Sequence, residues 1–170
     1  MSAPEISVLP ARRDDLAAIM ALERAGFPAE EQWSERSWQG ELLGERRTVL
    51  IARAHHPVGV ITLQTTDRSA DLHRLVVAEQ HRRRGIATAL IRAGLLAVSH
   101  HGARSVLLEV AYDNEAAIAT YQRFGFEQLA ARENYYGPGR HALILKFWDL
   151  PRWAESQLAA ESGDGREELE

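Results

Sequence analysis

The chain has 170 residues, 45% hydrophobic and 26% charged, which indicates one folded core and excludes collagen-like, coiled-coil and wholly disordered chains. It has no cysteine, which removes disulfides, thiolate nucleophiles and cysteine-ligated metals and makes the cytoplasm the expected compartment, and no apolar stretch reaches the ~18 residues of a membrane span. The net charge of −4 is a tail property: residues 1–148 carry 18 basic against 17 acidic groups and residues 149–170 carry 2 against 7, so no global field favours nucleic acid.

Glu5–Leu9 reads as a short strand, and Asp14 and Asp15 open an amphipathic helix with Leu16, Ile19, Met20 and Leu22 that closes near Gly26. Phe27–Gln32 is a loop, and Ser34 suits the N-cap of a second helix carrying Trp38, Leu42 and Leu43. Thr48–Ala54, Val58–Leu63 and Leu72–Ala78 are apolar, β-branched runs joined by short turns, the pattern of an antiparallel meander. From Ile86 a long apolar-rich helix runs to about His101 and ends at Gly102. The strand Ser105–Val110 follows, giving a βαβ crossover. Asn114 caps a further helix with Ala117, Ile118, Tyr121 and Phe124, and Gly125 takes the C′ position. Phe126–Glu133 and Ala142–Trp148 are two more strands, separated by Gly137, Pro138 and Gly139. Residues 151–170 are rich in Glu, Ala, Ser and Gly, with Trp153 and Leu158 as apolar anchors. They are expected to form a flexible acidic tail on a domain spanning residues 1–150.

Three places could carry chemistry. His81–Thr88, with Arg82, Arg83, Arg84 and Gly85, lies where a strand passes into a helix; it is either an anion site built on helix N-terminal amides or a solvated basic surface. It lacks the spacing of a Walker loop or a dinucleotide fingerprint. Glu109 interrupts the apolar run Val106–Val110, where a carboxylate is costly unless it is solvated or functional; burial would tune it toward a general base. Tyr121 lies on the apolar side of its helix and is either a core aromatic or a hydroxyl at a site. The histidines His55, His56, His100 and His101 do not have the spacing of a metal-ligand pair, so no metal is expected. Trp33, Trp38, Tyr135 and Tyr136 flank loops and are either packing residues or the wall of a cleft.

The order of these pieces resembles the GNAT superfamily of N-acetyltransferases: strand Leu72–Val77, then Arg83-Arg84-Gly85-Ile86-Ala87, helix, strand with Glu109, Asn114, and Tyr121-x-x-Phe124-Gly125-Phe126. More closely, Leu108-Glu109-Val110, Asn114-x-Ala116-Ala117-Ile118-x-x-Tyr121, Gly125-Phe126 and Asn134-Tyr135-Tyr136 look like the ribosomal-protein-alanine N-acetyltransferases, the RimI type. The resemblance implies an α/β fold whose mixed, mostly antiparallel central sheet splays between its fourth and fifth strands and is flanked by helices. It implies acetyl-CoA in the splay, with its pyrophosphate on Arg83, Arg84, Gly85, Ile86, Ala87 and Thr88, its arm on Leu75, Val76, Val77 and Asn114, and no metal. By the same resemblance Glu109 is the base that deprotonates the amine and Tyr121 the acid that protonates the departing thiolate. Phe27, Trp33, Tyr135, Tyr136 and Arg140 would line the acceptor side.

The acceptor implied is a protein or peptide N-terminus, such as that of a ribosomal protein, and the expected state is a monomer or weak dimer. A small-molecule amine or a protein lysine is the alternative acceptor, and a non-catalytic acyl-CoA-binding module the alternative from another class. Two departures from the family pattern fall on the acceptor side. Ala29-Glu30-Glu31-Gln32 separates Pro28 from Trp33-Ser34, and Arg140-His141 stands where an acidic pair is usual, which predicts a preference for acidic acceptors.

Overall fold

The structure, a computed structural model, describes residues 4–164. Its strands are β1 (Ser7–Pro10), β2 (Arg47–Arg53), β3 (Pro57–Thr66), β4 (Ser69–Val77), β5 (Ser105–Ala111), β6 (Glu127–Arg132) and β7 (Ala142–Phe147). Its helices are α1 (Leu16–Gly26), α2 (Glu35–Leu43), α3 (Ile86–His100), α4 (Glu115–Phe124) and α5 (Leu150–Asp164). The strands form one sheet in the order β1-β2-β3-β4-β5-β7-β6, antiparallel at every pair except β4 and β5. The antiparallel neighbours β1 to β4 and the crossover through α3 match the expected mixed architecture.

Strand alternation divides the core in two. Leu50 and Ala52 of β2, with Ile61 and Leu63 of β3, pack with Ile86, Leu90, Ile91 and Leu95 of α3. Ile51 and Val60, pointing the other way, pack with Ile19, Met20 and Leu22 of α1 and Trp38 of α2. The strand β3 is therefore buried on both faces, which explains why its sequence is almost continuously apolar. Ser34 caps α2 by accepting from the Ser37 N–H at 3.1 Å, and Asn114 caps α4 by accepting from the Ala117 N–H at 3.2 Å.

One irregularity sets the chemistry of β4. Thr62 pairs with Arg74 but Leu63 pairs with Leu72, so His73 is an extra residue in a β-bulge. The bulge breaks the alternation. Adjacent side chains that would face opposite sides both reach the layer of α1 and α2, His73 bonding Glu41 of α2 and Arg74 bonding Glu23 of α1.

The segment expected as a flexible tail is helical from Leu150 to Asp164, and residues 165–170 of that expectation lie outside the described residues. Leu150 is fully buried and Ala154 nearly so, and the Trp153 ring packs 5.8 Å from Phe147 and 6.2 Å from Phe124. Arg92 of α3 donates to Gln157 at 3.1 Å and pairs with Glu161 at 2.6 Å. The anchors at 150, 153, 154 and 157 fall on one helical face, a pattern that the acidic composition hides. Trp153→Ala should therefore destabilise the fold by about 2 kcal/mol, a half-buried aromatic costing less than a core one. Urea denaturation would measure this, and a flexible tail would leave the midpoint unchanged.

Candidate active site

β4 and β5 hold together over four pairs, Ser69↔Ser105 to Leu72↔Leu108, and then part. A cleft of about 1110 Å³ opens between them. Leu75, Val76 and Val77 of β4 form one side and Glu109, Val110 and Ala111 of β5 the other. At its far end stands the N-terminus of α3. The first bond within that helix runs from the Ala89 N–H to the Gly85 carbonyl at 2.9 Å, so the amides of Ile86, Ala87 and Thr88 have no acceptor in the helix. Gly85 has φ +77° and open space where a Cβ would stand, and Arg83 has φ +62°. Arg83, Gly85, Ile86, Ala87 and Thr88 line the cleft, whereas Arg84 is exposed and does not. This donor set suits a phosphate: orphan amides, helix dipole and arginine side chains converge on a space without side-chain obstruction.

Asn114 and Tyr121 line the cleft from α4, on the β5 side. The Tyr121 ring packs edge-on to Phe126 at 5.5 Å. Burial first, and the neighbouring Tyr136 second, push its pKa far above the usual tyrosine value, so the hydroxyl keeps its proton.

Glu109 projects from β5 at the mouth of the cleft. Its side chain is 33% exposed and accepts from Arg132 at 3.3 Å, a solvated pair worth at most about 1 kcal/mol. The strand presents this carboxylate to water and to the tyrosines. Tyr135 has its pKa raised by hydrogen bonding to Glu109, and its ring stacks edge-on against Tyr136 at 4.9 Å. Burial, reinforced by Glu109, pushes Tyr136 up to about 12, with Arg74 opposing. Tyr136 lines the cleft while Tyr135 stands behind it, on the carboxylate.

The acceptor end is closed by charges that the sequence reading did not connect. Phe27 and Trp33 line the cleft, but Trp38 is wholly buried core. Arg140 lines the cleft and is ion-paired to Glu31 from the loop between α1 and α2. The sequence makes Arg140 a positive charge that would favour acidic acceptors, and the structure sets against it the Glu31 carboxylate from the extra residues of the α1–α2 loop. A smaller pocket of about 390 Å³ adjoins, with Glu30, Asp113 and His141 on its walls.

Sequence reasoning also missed Glu23 and Arg74. Glu23 is completely buried; its carboxylate accepts from the Trp33 N–H at 2.7 Å and the Trp38 Nε1–H at 3.2 Å and is ion-paired with Arg74. Each has a polar or charged neighbour in sequence, Arg24 beside Glu23 and His73 beside Arg74, so neither shows the signal of a lone charge in an apolar run that singled out Glu109. Among the described residues no three His, Asp or Glu gather as metal ligands, and no helix is long and apolar enough to cross a membrane.

Residues 13–126 match the Acetyltransferase (GNAT) family. An N-alpha-acetyltransferase of Sulfurisphaera tokodaii is 34% identical over 84 residues, 49% of this chain and 50% of that protein, so the chain spans about half the length of this relative. The [ribosomal protein bS18]-alanine N-acetyltransferase of Salmonella typhimurium is 31% identical over 72% of this chain and 81% of its own length. The crystal structure of the ribosomal-protein-S18-alanine N-acetyltransferase from Escherichia coli superposes with TM-score 0.77 at 24% identity, covering 84% of this chain and 93% of that one. Arabidopsis thaliana NAA60 in complex with acetyl-CoA gives 0.73 at 22%, covering 84% and 98%. With a matching family segment spanning most of the sheet and the α3 N-terminus, and a sheet that parts where the family signature falls, the chain belongs to the GNAT family of acetyltransferases.

Proposed function

We propose that the protein transfers acetyl from acetyl-CoA to the N-terminal α-amine of a protein or peptide. The observation that carries this reading is the parting of β4 from β5 after Leu72↔Leu108. It opens a cleft with a phosphate-binding helix terminus at one end and a carboxylate among tyrosines at the other. The freed edge of β4 beyond Leu72 offers backbone groups to an amide-rich arm, and the α3 N-terminus suits the pyrophosphate. Acetyl-CoA supplies the activated acetyl thioester.

Glu109 takes the proton of the incoming ammonium, directly or through water, and the amine nitrogen attacks the carbonyl carbon as the carbon–sulfur bond breaks. An α-amine, with a reference pKa of about 7.7–8.0 against about 10.4 for lysine, needs less help from one solvated carboxylate. Tyr121 meets the charge developing on sulfur as an O–H donor. Its raised pKa means that a hydrogen bond to that charge, rather than early proton release, is its contribution; the second nitrogen proton, lost as the amide forms, replaces the one that sulfur takes and leaves Tyr121 protonated. Tyr136 walls the amine from bulk water, and Asn114, its Oδ1 engaged in the cap, keeps its amide N–H groups for the cofactor arm. The named relatives that acetylate α-amines, including a ribosomal-protein alanine, support the acceptor class.

Gly85→Glu should lower acetyl-CoA affinity at least 100-fold, because it places bulk and negative charge where the pyrophosphate would lie. The fold should survive at a strain cost of about 1 kcal/mol at a positive φ. Calorimetry showing wild-type affinity would remove the phosphate assignment. Glu109→Gln should slow turnover by about 10²-fold or more at pH 6.5 and progressively less toward pH 9, where the α-amine is already neutral; Tyr121→Phe should slow it by a similar factor at every pH in that range. Stopped-time product assays across this range check both, and near-wild-type rates in both variants would leave positioning as the whole mechanism. Finally, kcat/KM should be highest for an Ala-started peptide, lower for the same peptide with a blocked N-terminus and an added lysine, and lowest for spermidine. The reverse order would keep the family and change the acceptor.

A further inference from the structure

We propose that Arg74 is a positioning residue for the amine-bearing substrate: it clamps the Phe27–Trp33 wall of the cleft to β4 and so fixes where the acceptor lies relative to Glu109. The inference rests on the acetyltransferase reading of the cleft and adds to it a residue whose role is acceptor placement.

The β4 bulge turns Arg74 toward the layer of α1 and α2, and its guanidinium makes contacts of three kinds. It is ion-paired to the fully buried Glu23 of α1, it donates to the Glu31 carbonyl at 2.7 Å, and its Cζ lies over the Phe27 ring, 3.5 Å from the ring centre, and 5.0 Å from that of Trp33. Glu23 is in turn bonded to the Trp33 amide at 2.7 Å and the Trp38 indole at 3.2 Å. The wall is thus held by a fork of directional bonds and two ring faces, an arrangement that a lysine ammonium cannot reproduce. Beyond Glu31 the contacts continue through its ion pair with Arg140 to the loop that bears Tyr136 and Tyr135, and so to Glu109.

A buried pair of this kind is a weak source of stability, because desolvating both ions offsets most of their attraction, and apolar residues of similar volume would serve a core as well. What the pair supplies is a defined distance between β4 and the acceptor wall. None of these contacts involves the α3 N-terminus, so the cofactor end of the cleft is independent of them.

The test uses the full chain with two variants, Arg74→Lys and the double variant Glu23→Gln/Arg74→Met, the second leaving no unpaired buried charge. Acetyl-CoA affinity is read by calorimetry, and steady-state constants are read with the best acceptor among the Ala-started peptide, the blocked lysine peptide and spermidine. Tryptophan emission, to which Trp33 and Trp38 contribute, reports the wall directly. Both variants should bind acetyl-CoA within twofold of wild type, raise the acceptor KM at least tenfold with a smaller change in kcat, and shift emission to longer wavelength. If the double variant does not fold, Arg74→Lys decides alone. Wild-type acceptor KM in a folded variant overturns the positioning role, as does an equal loss of acetyl-CoA affinity. Because wild-type turnover is measured in the same assay, either result leaves the acetyltransferase reading standing, whereas absence of wild-type turnover with every acceptor overturns both.

Discussion

A parallel pair of strands that separates part-way along its length leaves two rows of backbone donors and acceptors facing each other across a gap, and the rest of this molecule is arranged around that gap. Unmet backbone groups in a buried setting are costly, so such an opening persists only where water or a ligand can reach it and where the surrounding elements hold it apart. Here β4 is held from behind by antiparallel pairing with β3 as far as Val77, and β5 by pairing with β7 from Val106 to Ala111. Each flanking strand keeps its partner in place while the central ladder ends at Leu72↔Leu108. The α3 helix, reached from β4 through the loop 78–85, brings its orphan amides to the open end, so that one topological feature produces both the slot and the anion site.

The layer of α1 and α2 adds a second constraint, of charge rather than backbone. Two glutamates are buried against the sheet, Glu23 and Glu41, and each meets one of the two residues that the β4 bulge places side by side. For Glu41, burial alone would raise the pKa, but hydrogen bonds from His73 and Thr62 and the nearby charges of His73 and Arg47 outweigh it and hold the group below the usual glutamate value. Glu41 thus stays ionised, and its contribution to stability, present above the ordinary glutamate pKa, fades as pH falls through the lowered value. The bulge converts a strand that would show one polar face into one that offers two adjacent polar side chains to helices that carry the matching carboxylates.

How much of this was legible in the residues depends on range. The strands and the first four helices follow from local periodicity and caps, and Ser34, Asn114 and Gly125 mark their ends where the structure has them. Glu109 stood out because a carboxylate within Val106–Val110 needs a reason, and the joint spacing of Gly85, Glu109, Asn114 and Tyr121 pointed to the family. Glu23 and Arg74, flanked by Arg24 and His73, carried no such signal, and their meaning lies in a contact across 51 residues that no local pattern encodes. The bulge at His73 is equally non-local, since it is defined by the register of β3 against β4. The helix α5 was misread for a different reason: average composition is a property of a whole segment, whereas docking needs only Leu150, Trp153 and Ala154 at helical spacing.

The loop between α1 and α2 shows why charge read from sequence must be settled by partners. Arg140 in isolation reverses the sign that the family pattern sets beside the acceptor, and the extra residues Ala29–Gln32 in isolation are a lengthened loop. Together they cancel, because Glu31 lies within that extra stretch and pairs with Arg140 across the mouth. The pair is half-exposed, so it adds little to stability, and its effect is geometric: it ties the loop that carries Phe27 and Trp33 to the loop that carries Tyr135 and Tyr136. The side chain of Glu31 engages Arg140 while its carbonyl engages Arg74, so a single residue of the lengthened loop faces both walls of the acceptor end. A substitution at Glu31 would therefore release Arg140 as a free cation and untie the two loops while leaving the backbone bond to Arg74 in place, so the charge an acceptor meets is separable from the wall that Arg74 holds.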